Sequence, residues 1–230
     1  MKILVTRPSE DGRHIAARLA EMGHRALLAP LLEPRFLDGP EPALDDVQAI
    51  LATSANGVRA LIRRTPRRDI PIFAVGPQTA EEATRAGFNQ VRSADGDAVA
   101  LAEAAARWAR PDGVLLHVCG EDAPGTLADT LAARGFAVRR AVLYGMAAAA
   151  ELPSETRAAL RDGRLDAAMF FSPRTAGLFL ELAQGLPIAS LTAFCISPNT
   201  ARALPHGAFA DVRVAAKPNQ TAMLDLVGPA

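Results

Sequence analysis

Four short segments of the chain combine small hydroxyl or amide side chains with Gly or Pro: Thr53-Ser54-Ala55-Asn56-Gly57, Gly76-Pro77-Gln78-Thr79, Ser172-Pro173-Arg174-Thr175 and Ser197-Pro198-Asn199-Thr200. Each follows a short apolar run and precedes a helical pattern. Such turns place unpaired N–H groups and the positive end of a helix dipole in one spot, which suits a carboxylate or phosphate. Helix capping alone explains any one of them. Four together point to a ligand bearing several anionic groups. Tyr144, the only tyrosine, ends a β-prone run. Its bland role is packing, but a phenol beside a polar cleft also donates protons. Cys119 also follows such a run, and a buried inert thiol is the commoner reading than a reactive one.

Other chemistries lack their motifs. There is no Walker A loop and no G-x-G-x-x-G, so nucleotide binding has no support. His14, His24, His117 and His206 show no metal-ligand spacing, and no metal site is expected. Ser54 and Ser172 sit in no G-x-S-x-G elbow and have no evident histidine partner.

Composition narrows the partners. The 230 residues carry 25 basic and 25 acidic side chains, and 50% are hydrophobic. That balance offers no field for nucleic acid or an anionic membrane. No window is long and apolar enough for a transmembrane helix, the apolar run at the start is too short for a signal peptide, and two cysteines make no disulfide framework. A reducing cytoplasm is the simple expectation. Monomer is the default.

The elements that must position the turns alternate strand and helix, the pattern of parallel α/β architecture. Strands are predicted at 3–6, 25–29, 47–52, 72–75, 114–118, 138–143, 167–171, 192–196 and 212–215. Helices are predicted near 9–22, 57–64, 79–86, 98–109, 126–134, 175–182, 200–204 and 221–227. The chain also resembles itself. Residues 3–31 lie over 115–143 without a gap, Ala49–Ser54 over Ala167–Ser172, Phe73–Ala80 over Phe194–Ala201, and Val91-Arg92 over Val212-Arg213. Ala-rich βα units resemble one another in any protein, but the order of the matches favours a duplication.

Link lengths then suggest the assembly. Arg110–Gly113 is short, whereas Glu33–Leu44 and Met146–Pro153 are long enough to cross between bodies. The expectation is two similar flavodoxin- or Rossmann-like parallel-sheet domains, one from residues 1–34 and 152–230 and one from 35–151. Two crossover connections would join them, with a cleft between.

A set of motifs in this order resembles one family. Ile3-Leu4-Val5-Thr6-Arg7-Pro8, Gly23-His24 before Pro30-Leu31, Thr53–Ala60, Phe73–Ala80, Asp95–Ala98, Phe170–Ala176 and Thr200–Leu204 together resemble uroporphyrinogen-III synthase. The resemblance implies cyclisation and dehydration of hydroxymethylbilane, a linear tetrapyrrole, with inversion of its last pyrrole ring, in tetrapyrrole (haem) biosynthesis. It implies no cofactor and no metal. It also implies Tyr144 as the group helping the hydroxyl leave, and substrate contacts from Arg7, Thr53, Ser54, Asn56, Gly76, Thr79, Cys119, Gly120, Ser172, Arg174, Ser197 and Thr200. Two positions depart from the pattern: Cys119-Gly120 stands where Arg-Gly is common, and Ser197 replaces a glycine. The competing reading is a non-enzymatic protein closing around a polyanion or sugar. A nucleotide-sugar transferase is a third, disfavoured by the small domains.

Overall fold

The apolar runs predicted as strands are strands. In the computed structural model, which describes residues 1–230, they build two separate parallel sheets. In chain order the elements are β1 Lys2–Val5, α1 Ser9–Glu21, β2 Arg25–Leu28, β3 Leu32–Phe36, β4 Val47–Ala52, α2 Ala55–Ile62, β5 Ile72–Ala74, α3 Pro77–Arg85, β6 Val91–Ser93 and α4 Ala98–Trp108. They continue with β7 Val114–Gly120, α5 Thr126–Ala132, β8 Ala137–Ala148, α6 Ser154–Arg161, β9 Ala167–Phe170, α7 Pro173–Leu182, β10 Thr192–Cys195, α8 Pro198–Arg202, β11 Asp211–Val214 and α9 Gln220–Val227. Two compact units result: unit 1 is Met1–Glu33 with Ala147–Ala230, and unit 2 is Pro34–Met146.

Unit 1 holds a five-stranded sheet in the order β11-β10-β9-β1-β2. Numbered as they occur in the chain, its strands read 2-1-3-4-5, the flavodoxin-like order. Unit 2 holds β6-β5-β4-β7-β8, with β3 beyond β8. Its first five strands read 3-2-1-4-5, the Rossmann-like order. The two sheets match pair by pair, β1 with β7, β2 with β8, β9 with β4, β10 with β5 and β11 with β6. These are the pairs the sequence matches internally. The units differ in which strand the chain visits first.

Because helices cover both faces, each sheet separates two apolar clusters, as buried parallel sheets require. In unit 1, Leu4, Ala168, Phe170 and Phe179 pack on one face, and Ile3, Val5, Met169 and Phe194 on the other. In unit 2, Ile50, Ala52, Leu116 and Val118 oppose Ala49, Leu51, Phe73 and Leu115. Alternate residues of one strand therefore serve different cores.

Three elements lie outside the predicted ones: β3, β6 and α6. The links at 33–44 and 146–153 contain strand: β3 occupies the start of the first, and β8 runs to Ala148 in the second. Leu37 N–H donates to Leu143 O, and Ala149 N–H donates to Leu31 O, both at 2.9 Å, so β3 and β8 run antiparallel. Pro34 fits because β3 is an edge strand, where a missing N–H costs no ladder bond. Strand β6 and helix α6 are the further additions. Both are short: β6 has three residues, and α6 has eight, of which Thr156, Ala159 and Leu160 form its buried face.

Candidate functional site

In a sheet of either order, the crevice opens where neighbouring strands send their connections to opposite faces, beyond their carboxyl ends. In unit 2 that point lies between β4 and β7, paired in parallel. Strand β4 is followed by Thr53-Ser54, and β7 ends in Gly120 before Glu121. In unit 1 it lies between β1 and β9, followed by Thr6-Arg7 and Phe171-Ser172.

Unit 2 brings Tyr144 to this point through an irregularity in β8. Cys119 pairs with Val142 but Gly120 pairs with Tyr144, so Leu143 is an extra residue on β8. Successive strand residues normally face opposite ways. The bulge puts Leu143 and Tyr144 into the same cluster. The phenol then reaches over Gly120 to the start of α2. Its oxygen lies 2.8 Å from Ser54 Oγ. Tyr144 is 9% exposed. Burial pushes the phenol above its usual pKa, and the bond to Ser54 pulls it partly back. The phenol therefore keeps its proton at neutral pH. Gly120 is required by contact: a Cβ there would lie 2.9 Å from Tyr144 Cε2 and 3.0 Å from Cζ.

Ser54 is the N-cap of α2 in extended backbone, accepting Gly57 N–H at 3.1 Å. Its oxygen thus serves both the helix and the phenol. Asn56, two residues on, turns its Oδ1 to Arg59 Nη1 at 3.0 Å, and its Nδ2 rests 4.0 Å from Met146 Sδ. Gly76 caps α3 with no side-chain bond, followed by Pro77 at the first helical position. Nothing within 4 Å opposes a Cβ at Gly76, so space remains above that turn.

Unit 1 repeats the turn chemistry. Ser172 and Ser197 cap α7 and α8, accepting Thr175 N–H at 3.1 Å and Thr200 N–H at 3.3 Å. Arg7 lies over the Phe171 ring at 4.9 Å and pairs with buried Asp11 at 2.5 Å, while Arg174 stands exposed in the first turn of α7. The α1 N-terminus carries the protein's own carboxylate, since Glu33 Oε1 accepts Ser9 N–H at 2.9 Å.

The expected site residues thus fall into three groups. Ser54, Asn56, Gly120 and Tyr144 converge in unit 2, and Arg7, Ser172, Arg174 and Ser197 lie on adjacent turns of unit 1. Gly76 borders the first group through the neighbouring strand β5. Cys119, Thr79 and Thr200 are buried, at 0%, 5% and 0% exposed. Cys119 Sγ lies against Arg140 Nη2, and Thr200 Oγ1 lies 3.1 Å from Ser197 Oγ. Thr53 Oγ1 points to His117 Nε2 at 3.4 Å rather than to Tyr144.

Sequence reasoning missed His117. It is 2% exposed, its Nδ1 has no partner, and burial with the nearby Arg140 charge pushes its pKa down to about 4. The only sequence signal was a histidine within an apolar run. Its folded pKa lies below the unfolded value of about 6.5, so the neutral form carries the stability. That contribution is full above pH 6.5 and disappears as pH falls toward 4. Chemical denaturation is expected to show a loss of about 3 kcal/mol over this range that His117→Gln lacks. An equal loss in the variant would assign the acid sensitivity to other groups.

No helix is long and apolar enough to cross a membrane, and no cluster of three or more His, Cys, Asp or Glu converges to hold a metal. The family model described as uroporphyrinogen-III synthase HemD matches residues 13–225. No curated protein sequence matches significantly. Among solved structures, uroporphyrinogen-III synthetase from Helicobacter pylori superposes with a TM-score of 0.64 at 19% identity, covering 98% of this chain and 97% of that one. A mutant uroporphyrinogen III synthase from the extremely thermophilic bacterium Thermus thermophilus gives 0.51, also at 19% identity, covering 97% and 95%. The structural likenesses establish the two-unit α/β fold, and the match over nearly the full length establishes the lineage: this chain belongs to the uroporphyrinogen-III synthase family.

Proposed function

We propose that the chain is a hydro-lyase that cyclises hydroxymethylbilane to uroporphyrinogen III, with Tyr144 as the proton donor. The observation that carries this reading is the protonated phenol at the β4–β7 crevice, held on Ser54 at the start of α2. The reaction needs a proton for the departing hydroxyl, which leaves as water and generates a cationic azafulvene end. The substituted carbon of the terminal pyrrole attacks that end to give a spiro intermediate. Fragmentation and recombination then turn the ring around, and loss of the ring proton restores aromaticity. The base consumed and the acid supplied balance, so one phenol suffices for both transfers.

Ser54 fits the donor role in a specific way. Its oxygen accepts Gly57 N–H, which leaves the hydroxyl hydrogen available to the Tyr144 oxygen. The phenol can then direct its own proton outward. The phenolate left behind would lie near the positive end of α2.

The substrate also closes without help, by attack at the unsubstituted carbon, giving the type I isomer. The protein must therefore hold the chain in one conformation while the hydroxyl departs. With zero net charge, it has no overall positive field for an octacarboxylate. Oriented N–H groups at the turns of Ser54, Gly76, Ser172 and Ser197, with Asn56, Arg7 and Arg174, would grip the carboxylates. Thr79 and Thr200 would hold their turns from within. No cofactor enters the scheme. The test is to supply hydroxymethylbilane, oxidise the products and measure the ratio of type III to type I isomer. Type III in excess supports the reading, and type I alone would sink it.

A further inference from the structure

Two residues in unit 2 form an ion pair that none of the steps above uses. Arg59, on α2, donates from Nη2 to Glu82 Oε2, on α3, at 2.7 Å. The two residues are only 6% and 7% exposed. Burying both charges is costly, and such a pair is poor evidence for stability, because apolar residues of similar volume often serve as well. Its geometry suggests another use. The same guanidinium donates from Nη1 to Asn56 Oδ1 at 3.0 Å.

That bond settles which end of the Asn56 amide is presented. An asparagine can offer either an acceptor or two donors. Here the acceptor is occupied by a cation that is itself anchored, so the NH2 group is the end left over. It points toward Met146 Sδ, 4.0 Å away, on the strand that carries Tyr144. A thioether is a weak acceptor that a carboxylate displaces readily. The same local geometry recurs in unit 1, where Arg202 Nη2 donates to Asn199 Oδ1 with the same spacing of three residues after a capping Ser. There it is exposed and unanchored; in unit 2 it is buried and tied to a second helix.

We infer that Arg59, fixed by Glu82, is a positioning residue that locks Asn56 as a donor-only receptor for a substrate carboxylate beside Tyr144. Because Glu82 belongs to α3 and Arg59 to α2, the pair also holds together the two helices that start at Ser54 and Gly76. This inference rests on the proposed function and adds to it a residue for carboxylate recognition.

The test compares steady-state formation of type III product by wild type, Asn56→Ala, the double variant Arg59→Met/Glu82→Met, and the triple variant. The double variant removes both charges together, so no charge is left buried alone. Melting temperatures are measured alongside. Asn56→Ala and the double variant are each expected to raise KM by ~10-fold with kcat within ~2-fold of wild type, the size expected for one hydrogen bond to a charged group. The triple variant should match Asn56→Ala, because Arg59 acts through that residue. Should the double variant fail to fold, Arg59→Lys replaces it. A lysine keeps a charge for Glu82 but lacks the planar fork that reaches two acceptors. An unchanged KM in the folded variant, or a triple variant with KM raised ~100-fold as two independent ~10-fold effects would give, overturns the inference. Wild type making only type I product overturns the functional reading instead, which keeps the two failures distinct.

Discussion

Tyr144→Phe is expected to lower kcat for type III product by roughly 100-fold, the lower end of what a positioned proton donor contributes. The substitution is chosen to remove one atom. The ring still packs over Gly120 in the same cluster, and Ser54 still caps α2 through Gly57 N–H. Loss of the bond to Ser54 should cost about 1 kcal/mol of stability. A large fall in kcat beside a small change in melting temperature therefore separates chemistry from folding. Burial holds the phenol above its usual pKa, so it stays protonated through neutral pH. Wild-type kcat should accordingly show no loss from this group across the neutral range, with its decline only at alkaline pH, and the Phe variant should lack that alkaline limb. Near-normal turnover by the variant would remove Tyr144 from the mechanism.

Gly120→Ala should have a comparable effect through position alone. The added methyl would stand 2.9 Å from Tyr144 Cε2, closer than carbon atoms tolerate, and a tight 3.3 Å from its hydroxyl oxygen. The backbone of Gly120 pairs with Tyr144 on β8, and the following Glu121 N–H donates to Tyr144 O at 2.8 Å. The ring is the part that must move. A displacement of the order of 1 Å typically costs about 100-fold in rate when reacting groups must meet. The bond to Ser54 would be broken or stretched, and the phenol pKa would lose the lowering influence of Ser54. The alkaline limb of the pH profile should move upward, which distinguishes a misplaced phenol from a lost one. A variant with wild-type kcat would mean that the ring has room the contacts do not show.

The meeting of Gly120 with Tyr144 was not legible in the sequence. The strand at 138–143 was visible as an apolar run, but a one-residue bulge is a property of pairing between strands, set by which hydrogen bonds β7 and β8 make. Likewise Arg59 and Glu82 are 23 residues apart on different helices, and nothing in either helix alone indicates that they meet. His117 reads as one polar residue within an apolar strand, and only packing shows that it is buried.

What the sequence determined by itself is the local and repetitive part. The alternation of short apolar runs with Ala- and Leu-rich helices is enough for parallel α/β class, because strand and helix periods are written in neighbouring residues. The internal matches extend this to corresponding strands of two sheets, since a repeated unit repeats its pattern. The capping turns are also local: Ser54, Ser172 and Ser197 bond N–H groups three residues ahead. The tertiary structure decided the rest. It turned links rich in Pro and Ala into paired strands, buried Thr200 and Cys119, and brought Tyr144 onto Ser54 across 90 residues. Register and burial depend on what packs against a segment, and the segment does not encode its neighbours.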